Sequence, residues 1–166
     1  MTVIKSISGI RGTVGGSPTD GFNPLTIAHF VVGYAQHIKL YESISRPTIV
    51  VGRDARLSGE MVQQVVIGTL LGMGCDVINI GLATTPTTEM AVLGHRANGG
   101  IIITASHNPI QWNALKFLGS DGTFLNADRG NEVLRLSEDH TVPFASVEDL
   151  GQVISTDSYL QKHIDA

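Results

Sequence analysis

The chain has 166 residues, 42% hydrophobic and 16% charged, which is enough for one domain with a sizeable core and too apolar for a disordered segment. Lys+Arg 11 against Asp+Glu 15, a net charge of -4 and no clustered basic run exclude the electrostatic footprint of a nucleic-acid binder; no apolar run approaches membrane-spanning length. The lone Cys75 excludes an internal disulfide and reads as a buried packing residue in a reducing compartment; with no signal-like apolar run after Met1, the expectation is a cytoplasmic protein acting on small molecules.

Val3 to Ile7 reads as a short first strand. It runs into Ser8-Gly9-Ile10-Arg11-Gly12-Thr13-Val14-Gly15-Gly16, whose four glycines mean backbone approach or positive φ rather than helix; a flexible loop is the plainer reading. The segment is neither G-x-G-x-x-G nor a P-loop. Asn23-Pro24 opens a helix to about Ser43, with Ile27, Val31, Tyr34, Ile38 and Tyr41 on its buried stripe and Gly33 marking a close contact. His29 and His37 lack metal-ligand spacing and read as surface or packing residues.

Thr48 to Gly52 is a β-branched run typical of a buried parallel strand. Arg53-Asp54-Ala55-Arg56-Leu57-Ser58 follows, with Ser58 as N-cap of an apolar helix over about Gly59 to Met73 that stops at Gly74. Asp76 to Gly81 is the next strand, and Thr85-Pro86 opens a helix to about Leu93. His95 and Arg96 then suit the negative end of the helix dipole. The strand and helix alternation predicts an α/β fold, a three-layer α/β/α domain with a mixed, mostly parallel sheet.

Ile101-Ile102-Ile103 feeds directly into Thr104-Ala105-Ser106-His107-Asn108-Pro109, so a buried strand delivers a hydroxyl to the apex of a polar loop at the carboxyl edge of the sheet. Downstream, Ala114 to Leu118 and Thr123 to Leu125 flank Gly119-Ser120-Asp121-Gly122 as a hairpin. A helix capped near Asn126 covers about Asp128 to Leu136, a polar surface connection covers Ser137 to Ser146, and helical spacing resumes from Ser155 to Ala166. We expect domain residues 1–145, a connection and helix start over 146–166, and a chain that is part of a longer protein.

A hydrolase serine would want G-x-S-x-G and a separately placed base, whereas Ser106 is flanked by Ala105 and His107. A phosphorylatable serine would want amides, cations and often a divalent metal, and Arg11 and Lys116 are the candidate cations. The plainest alternative is a turn in which Asn108-Pro109 sets the bend.

Taken together, T-A-S-H-N-P over 104–109, S-G-I-R-G over 8–12, G-R-D-A-R-L-S over 52–58 and N-A-L-K-F over 113–117 resemble the α-D-phosphohexomutase family, in that family's order. The family includes phosphoglucomutases, phosphomannomutases and phosphoglucosamine mutases, intramolecular phosphotransferases of the isomerase class. The resemblance implies that Ser106 carries the phosphoryl group and that Lys116 and Arg11 act beside it. His107 and Asn108 would contact substrate or phosphate, and Ser106 would bind Mg²⁺ through its phosphate. Arg53, Asp54 and Arg56 are expected to brace loops. The substrate would be a sugar phosphate whose phosphate moves between C1 and C6 through a bisphosphorylated sugar.

The family's metal motif D-G-D-x-D-R is absent from these residues, so most metal ligands and the sugar-reading loops are expected in further domains of the same full-length chain, and the isolated chain is expected to be inactive. Trp112-Asn113-Ala114 replaces the family's Tyr-Asn-Gly, with Ala114 restricting the backbone. The alternative from another functional class is a stand-alone module binding phosphate or sugar phosphate without catalysis.

Overall fold

Each β-branched run becomes a strand, and the apolar-periodic segments become the crossovers between them. The structure, a computed structural model, describes residues 3–6, 9–155 and 158–166. Its elements in chain order are β1 (Val3–Ser6), β2 (Gly9–Thr13), α1 (Pro24–Tyr41), β3 (Thr48–Arg53), α2 (Gly59–Gly72) and β4 (Asp76–Leu82), then α3 (Thr85–His95), β5 (Gly99–Ile103), β6 (Trp112–Leu118), α4 (Ala127–Ser137), β7 (Val153–Ser155) and α5 (Leu160–Ile164).

The strands form one mixed sheet in the order β1-β2-β6-β5-β3-β4-β7. β5 pairs with β3, β3 with β4 and β4 with β7 in parallel, while β5–β6, β6–β2 and β2–β1 are antiparallel. The sheet is thus mixed in equal parts. Its antiparallel share exceeds what alternation alone foretells because β6 returns directly from the 104–111 loop and the glycine-rich segment is itself a strand.

Ile7, expected to end the first strand, and Ser8, the first residue of that segment, lie outside the described residues. The rest of it is not a flexible loop: Gly9–Thr13 inserts between β1 and β6, with Gly9 opposite Lys116 and Arg11 opposite Ala114. Gly9 has φ 142, and a Cβ there would stand 2.0 Å from the carbonyl oxygen of Leu115. Only glycine lets β2 lie in this register.

The sheet is covered on both faces, giving three layers. On one face α1, α2 and α4 bury Ile27, Val31, Ile38, Val62, Leu70 and Val133 against Ile49, Ile101, Leu115 and Phe117. On the other, α3 buries Ala91 and Val92 against Val50, Ile80, Ile102 and Leu118. Cys75 is buried as expected, and burial pushes its thiol up to about 11. Tyr34 ties α1 to β6: it stacks on Phe117 at 4.8 Å, and its hydroxyl donates to Leu118 O at 2.7 Å.

Helix ends follow local chemistry, with two exceptions. Asn23 Oδ1 accepts from the amides of Leu25 and Thr26, and Asn126 Oδ1 accepts from that of Arg129. The third helix is capped one residue early, by Thr84, whose Oγ1 accepts from the amide of Thr87. Ser58 makes no cap bond: its backbone is already helical, with φ -78 and ψ -8, and its Oγ accepts from Asn113 Nδ2 at 2.8 Å. The helix expected from Ser155 begins at Leu160, since Val153–Ser155 is taken up as an edge strand beside β4. His37 proves to be a packing residue: it is buried, accepts from Arg129 Nε at 3.1 Å and stacks on Tyr41.

Gly33 marks the α1–α4 crossing, as expected. A Cβ there would lie 2.6 Å from Ser137 N and 2.7 Å from Val133 O, both backbone atoms that cannot swing aside. Gly33→Ala is therefore expected to cost about 1–3 kcal/mol by overpacking, lowering Tm by several degrees in a thermal melt. An unchanged Tm would show that the helices separate freely.

A second prediction concerns pH. Asp76 accepts both arms of Arg46, at 2.8 and 3.0 Å, and the amide of Gln152 at 2.9 Å, so the guanidinium holds its carboxyl below the ordinary 3.8. A depressed carboxylate stabilises above its unfolded pKa and loses that contribution as pH falls through the folded one. Asp76→Asn should lower Tm at pH 7, and the gap from wild type should close below about pH 4. A gap that persists at pH 2 would contradict the ion-pair account.

Candidate functional site

The 104–111 loop leaves the sheet at β5, where parallel pairing on one side gives way to antiparallel pairing on the other. The ends of β3 and β4, at Arg53 and Leu82, lie along the same carboxyl edge, where open α/β sheets bind ligands. Ser106 and His107 are exposed, Asn108 partly so. Ser106 has φ 52, a left-handed conformation that non-glycine residues adopt at a cost of about 1–2 kcal/mol.

One largely enclosed cation holds the loop in this shape. The side chain of Arg56 is 12% exposed. Its Nη2 donates to the carbonyls of Ser106 and Asn108, both at 2.7 Å, and its Nη1 to those of Pro109 and Trp112 at 2.9 and 3.1 Å. Four carbonyls along the loop therefore converge on one guanidinium, a geometry that its planar fork allows and an ammonium does not. Asp54 completes the clamp: Oδ1 accepts the amide of Arg56 at 3.1 Å, while Oδ2 lies 3.3 Å from Arg56 Nε and accepts Thr104 Oγ1–H at 2.6 Å. Arg53 turns away to Gln63 Oε1 at 3.2 Å and the Asp54 carbonyl at 3.1 Å. The bracing expected of Arg53, Asp54 and Arg56 is what they do.

The cations Arg11 and Lys116 are brought together from residues far apart in the chain. Both line a cleft of about 300 Å³ with Gly9, Ala114 and Ser6. Side chains opposite each other in a ladder share a face, so Arg11, opposite Ala114, stands two positions from Lys116, opposite Gly9. Lys116 also pairs with Ile102, which places this cleft on the α3 face of the sheet, beyond the strands that α3 covers. The small Ala114 side chain faces Arg11 across the ladder. Ser106, His107 and Asn108 are not among the cleft's lining residues; they stand at the strand ends.

Ser106 Oγ has His107 Nδ1 at 3.5 Å, too long for useful polarisation of the hydroxyl. Among the described residues, His107 is the one side chain with a contact to Ser106 Oγ. Asn108 secures the turn, its amide and its Nδ2 donating to Ala105 O at 3.0 and 2.9 Å. Among the described residues no group of three or more His, Cys, Asp or Glu could hold a metal, and Asp54 is already committed to Thr104 and Arg56.

Sequence reading did not single out Thr104 or Asn113 for a role of its own. Asn113 is fully buried and links Ser58 to the Ala114 amide, at 2.8 Å each. A polar asparagine leading directly into the apolar strand run Ala114-Leu115 was its one sequence signal.

Residues 3–142 match the family model described as phosphoglucomutase/phosphomannomutase, alpha/beta/alpha domain I. A phosphoglucosamine mutase of Leuconostoc mesenteroides is 42% identical over 123 residues, 72% of this chain and 27% of that protein. A phosphoglucomutase/phosphomannomutase of Thermococcus kodakarensis is 47% identical over 100 residues, 59% of this chain and 22% of that protein. The crystal structure of a candidate phosphomannomutase from Thermus thermophilus superposes with a TM-score of 0.75 at 26% identity, over 95% of this chain and 33% of that one. The chain spans about a quarter of the length of the curated relatives it matches.

Arg56→Lys keeps the charge and loses the fork. Amide exchange at Asn108 and Trp112 is expected to quicken by roughly tenfold or more, as loop carbonyls lose charge-assisted bonds worth about 1.5–3 kcal/mol each. Equal exchange in wild type and variant would mean that the loop holds its shape without the clamp.

Proposed function

Because the chain belongs to the phosphoglucomutase/phosphomannomutase family over its α/β/α domain I, we propose that it is the phosphoserine-bearing domain of a phosphohexomutase. It would act within a longer cytoplasmic protein that moves phosphate between C1 and C6 of a hexose or hexosamine phosphate. The names of its relatives span glucosamine, glucose and mannose phosphates, and the proposal stays at that breadth. The observation that carries it is Ser106 itself: an exposed hydroxyl at the carboxyl edge of β5, its carbonyl gripped by Arg56.

In the proposed reaction a hydroxyl oxygen of the sugar monophosphate attacks the phosphorus of phosphorylated Ser106. The P–Oγ bond breaks, and the proton lost by the sugar hydroxyl ends on Ser106 Oγ, carried by Lys116. The bisphosphorylated sugar turns over, and its other phosphate passes back to Ser106 Oγ in the reverse step. Arg11 offsets charge on the transferring group, while His107 and Asn108 contact substrate or phosphate from the exposed loop. Such a transfer is mainly positioning and electrostatics, which is why a rigid loop and two cations suffice as this domain's share.

Phosphorylated Ser106 offers hard oxygens that suit Mg²⁺, which when bound would neutralise charge on the phosphate. The remaining ligands would come from other domains of the same chain, and the isolated chain would have essentially no mutase activity.

Intact-mass and peptide analysis of the full-length protein should find phosphate on Ser106, and Ser106→Ala should lower interconversion of sugar phosphates by roughly a thousandfold or more. Normal turnover by Ser106→Ala would sink the proposal. Tight binding of a sugar phosphate by wild type with neither phosphoserine nor turnover would instead indicate a binding module.

A further inference from the structure

Resting on the reading of Ser106 as phosphate carrier, we propose that Thr104 is a positioning residue for that serine, acting through its hydroxyl. Thr104 is 8% exposed, and its amide extends the sheet ladder to Ala114 O at 3.2 Å, so its backbone is as fixed as the strand that precedes it. The Thr104 hydroxyl has one proton, and Asp54 Oδ2 takes it at 2.6 Å. Only lone pairs then remain to face the loop, and one accepts the Ser106 amide at 3.1 Å.

The direction of this chain is therefore imposed by Asp54: carboxylate, threonine hydroxyl, serine amide. Ser106 is held on both sides, through its N–H by Thr104 and through its C=O by Arg56 at 2.7 Å, and both grips lead to Asp54. Two grips on one residue offset the cost of its left-handed φ and leave the Oγ direction as the one soft torsion, χ1. A transferring oxygen misplaced by about 1 Å can lose a hundredfold in rate, so the hydroxyl of Thr104 matters for chemistry although it touches no reacting atom.

The test compares Thr104→Val, which removes the hydroxyl, Thr104→Ala, which also relieves any crowding, and Thr104→Ser, which restores the hydroxyl. All are made in the full-length protein. Turnover is assayed with glucose 1-phosphate, mannose 1-phosphate and glucosamine 1-phosphate, each with the matching 1,6-bisphosphate. Val and Ala variants are expected to lower kcat by about tenfold to a hundredfold with KM within about twofold, while Ser stays within about threefold of wild type. Amide exchange at Ser106 should quicken by about tenfold in Val and not in Ser.

Wild-type kcat in Thr104→Val, or a Ser variant as slow as Val, would overturn the role, the latter by assigning the effect to the methyl group. If instead Ser106→Ala retains activity, or wild type turns over none of the three sugars, the functional reading falls. The exchange measurement still decides whether Thr104 holds the serine amide.

Discussion

The site depends on a single, largely enclosed guanidinium. Arg56 draws in carbonyls from Ser106, Asn108, Pro109 and Trp112, so the loop is ordered from beneath by a group that offers donors and no acceptors. A cation this enclosed is tolerable because those carbonyls satisfy Nη1 and Nη2 and the Asp54 carboxylate, 3.3 Å from Nε, offsets its charge. Asp54 in turn ties Arg56 and Thr104 together. Its two oxygens meet the Arg56 amide, Arg56 Nε and the Thr104 hydroxyl.

The second constraint is the change of sheet character at β5. The parallel strands on one side bring β3 and β4 to the same carboxyl edge, and the antiparallel strands on the other bring β6 and β2 back past it. Because side chains alternate faces, Arg11 and Lys116 fall together on the α3 face while Ile10 and Leu115 are buried beneath α1. α3 packs on β3 and β5, and the neighbouring stretch of β2 and β6 stays open as the cationic cleft. Cleft and loop are thus two products of one topology, with the serine at the strand ends and the cations on the face beside it.

Much of this was legible in the chain. Pro after Asn23, the β-branched run at 48–52 and the isoleucines at 101–103 are local signals whose physics acts within a few residues, and they foretold strands, helices and the serine loop. Gly33 also announced its close contact, because glycine inside a helix is costly unless something occupies the space a Cβ would take. The motif order, with T-A-S-H-N-P at its centre, carried the family.

What the sequence left open was long-range partnership. The glycine-rich 9–13 segment looks like a loop by composition and is a strand because β1 and β6 supply its hydrogen bonds. Ser58 looks like a cap and instead serves Asn113, 55 residues away. Arg56 reads as a brace, but that it grips four carbonyls of the serine loop exists only once β3 and β5 lie side by side. The sequence by itself determined most of the helices, the central strands, the fold class and the place of the serine loop after β5, since those rest on short-range periodicity and chemistry. Tertiary structure alone decided that Asp54 orients Thr104, that Arg56 holds the Ser106 carbonyl and which cations share a cleft, since those contacts join residues far apart along the chain.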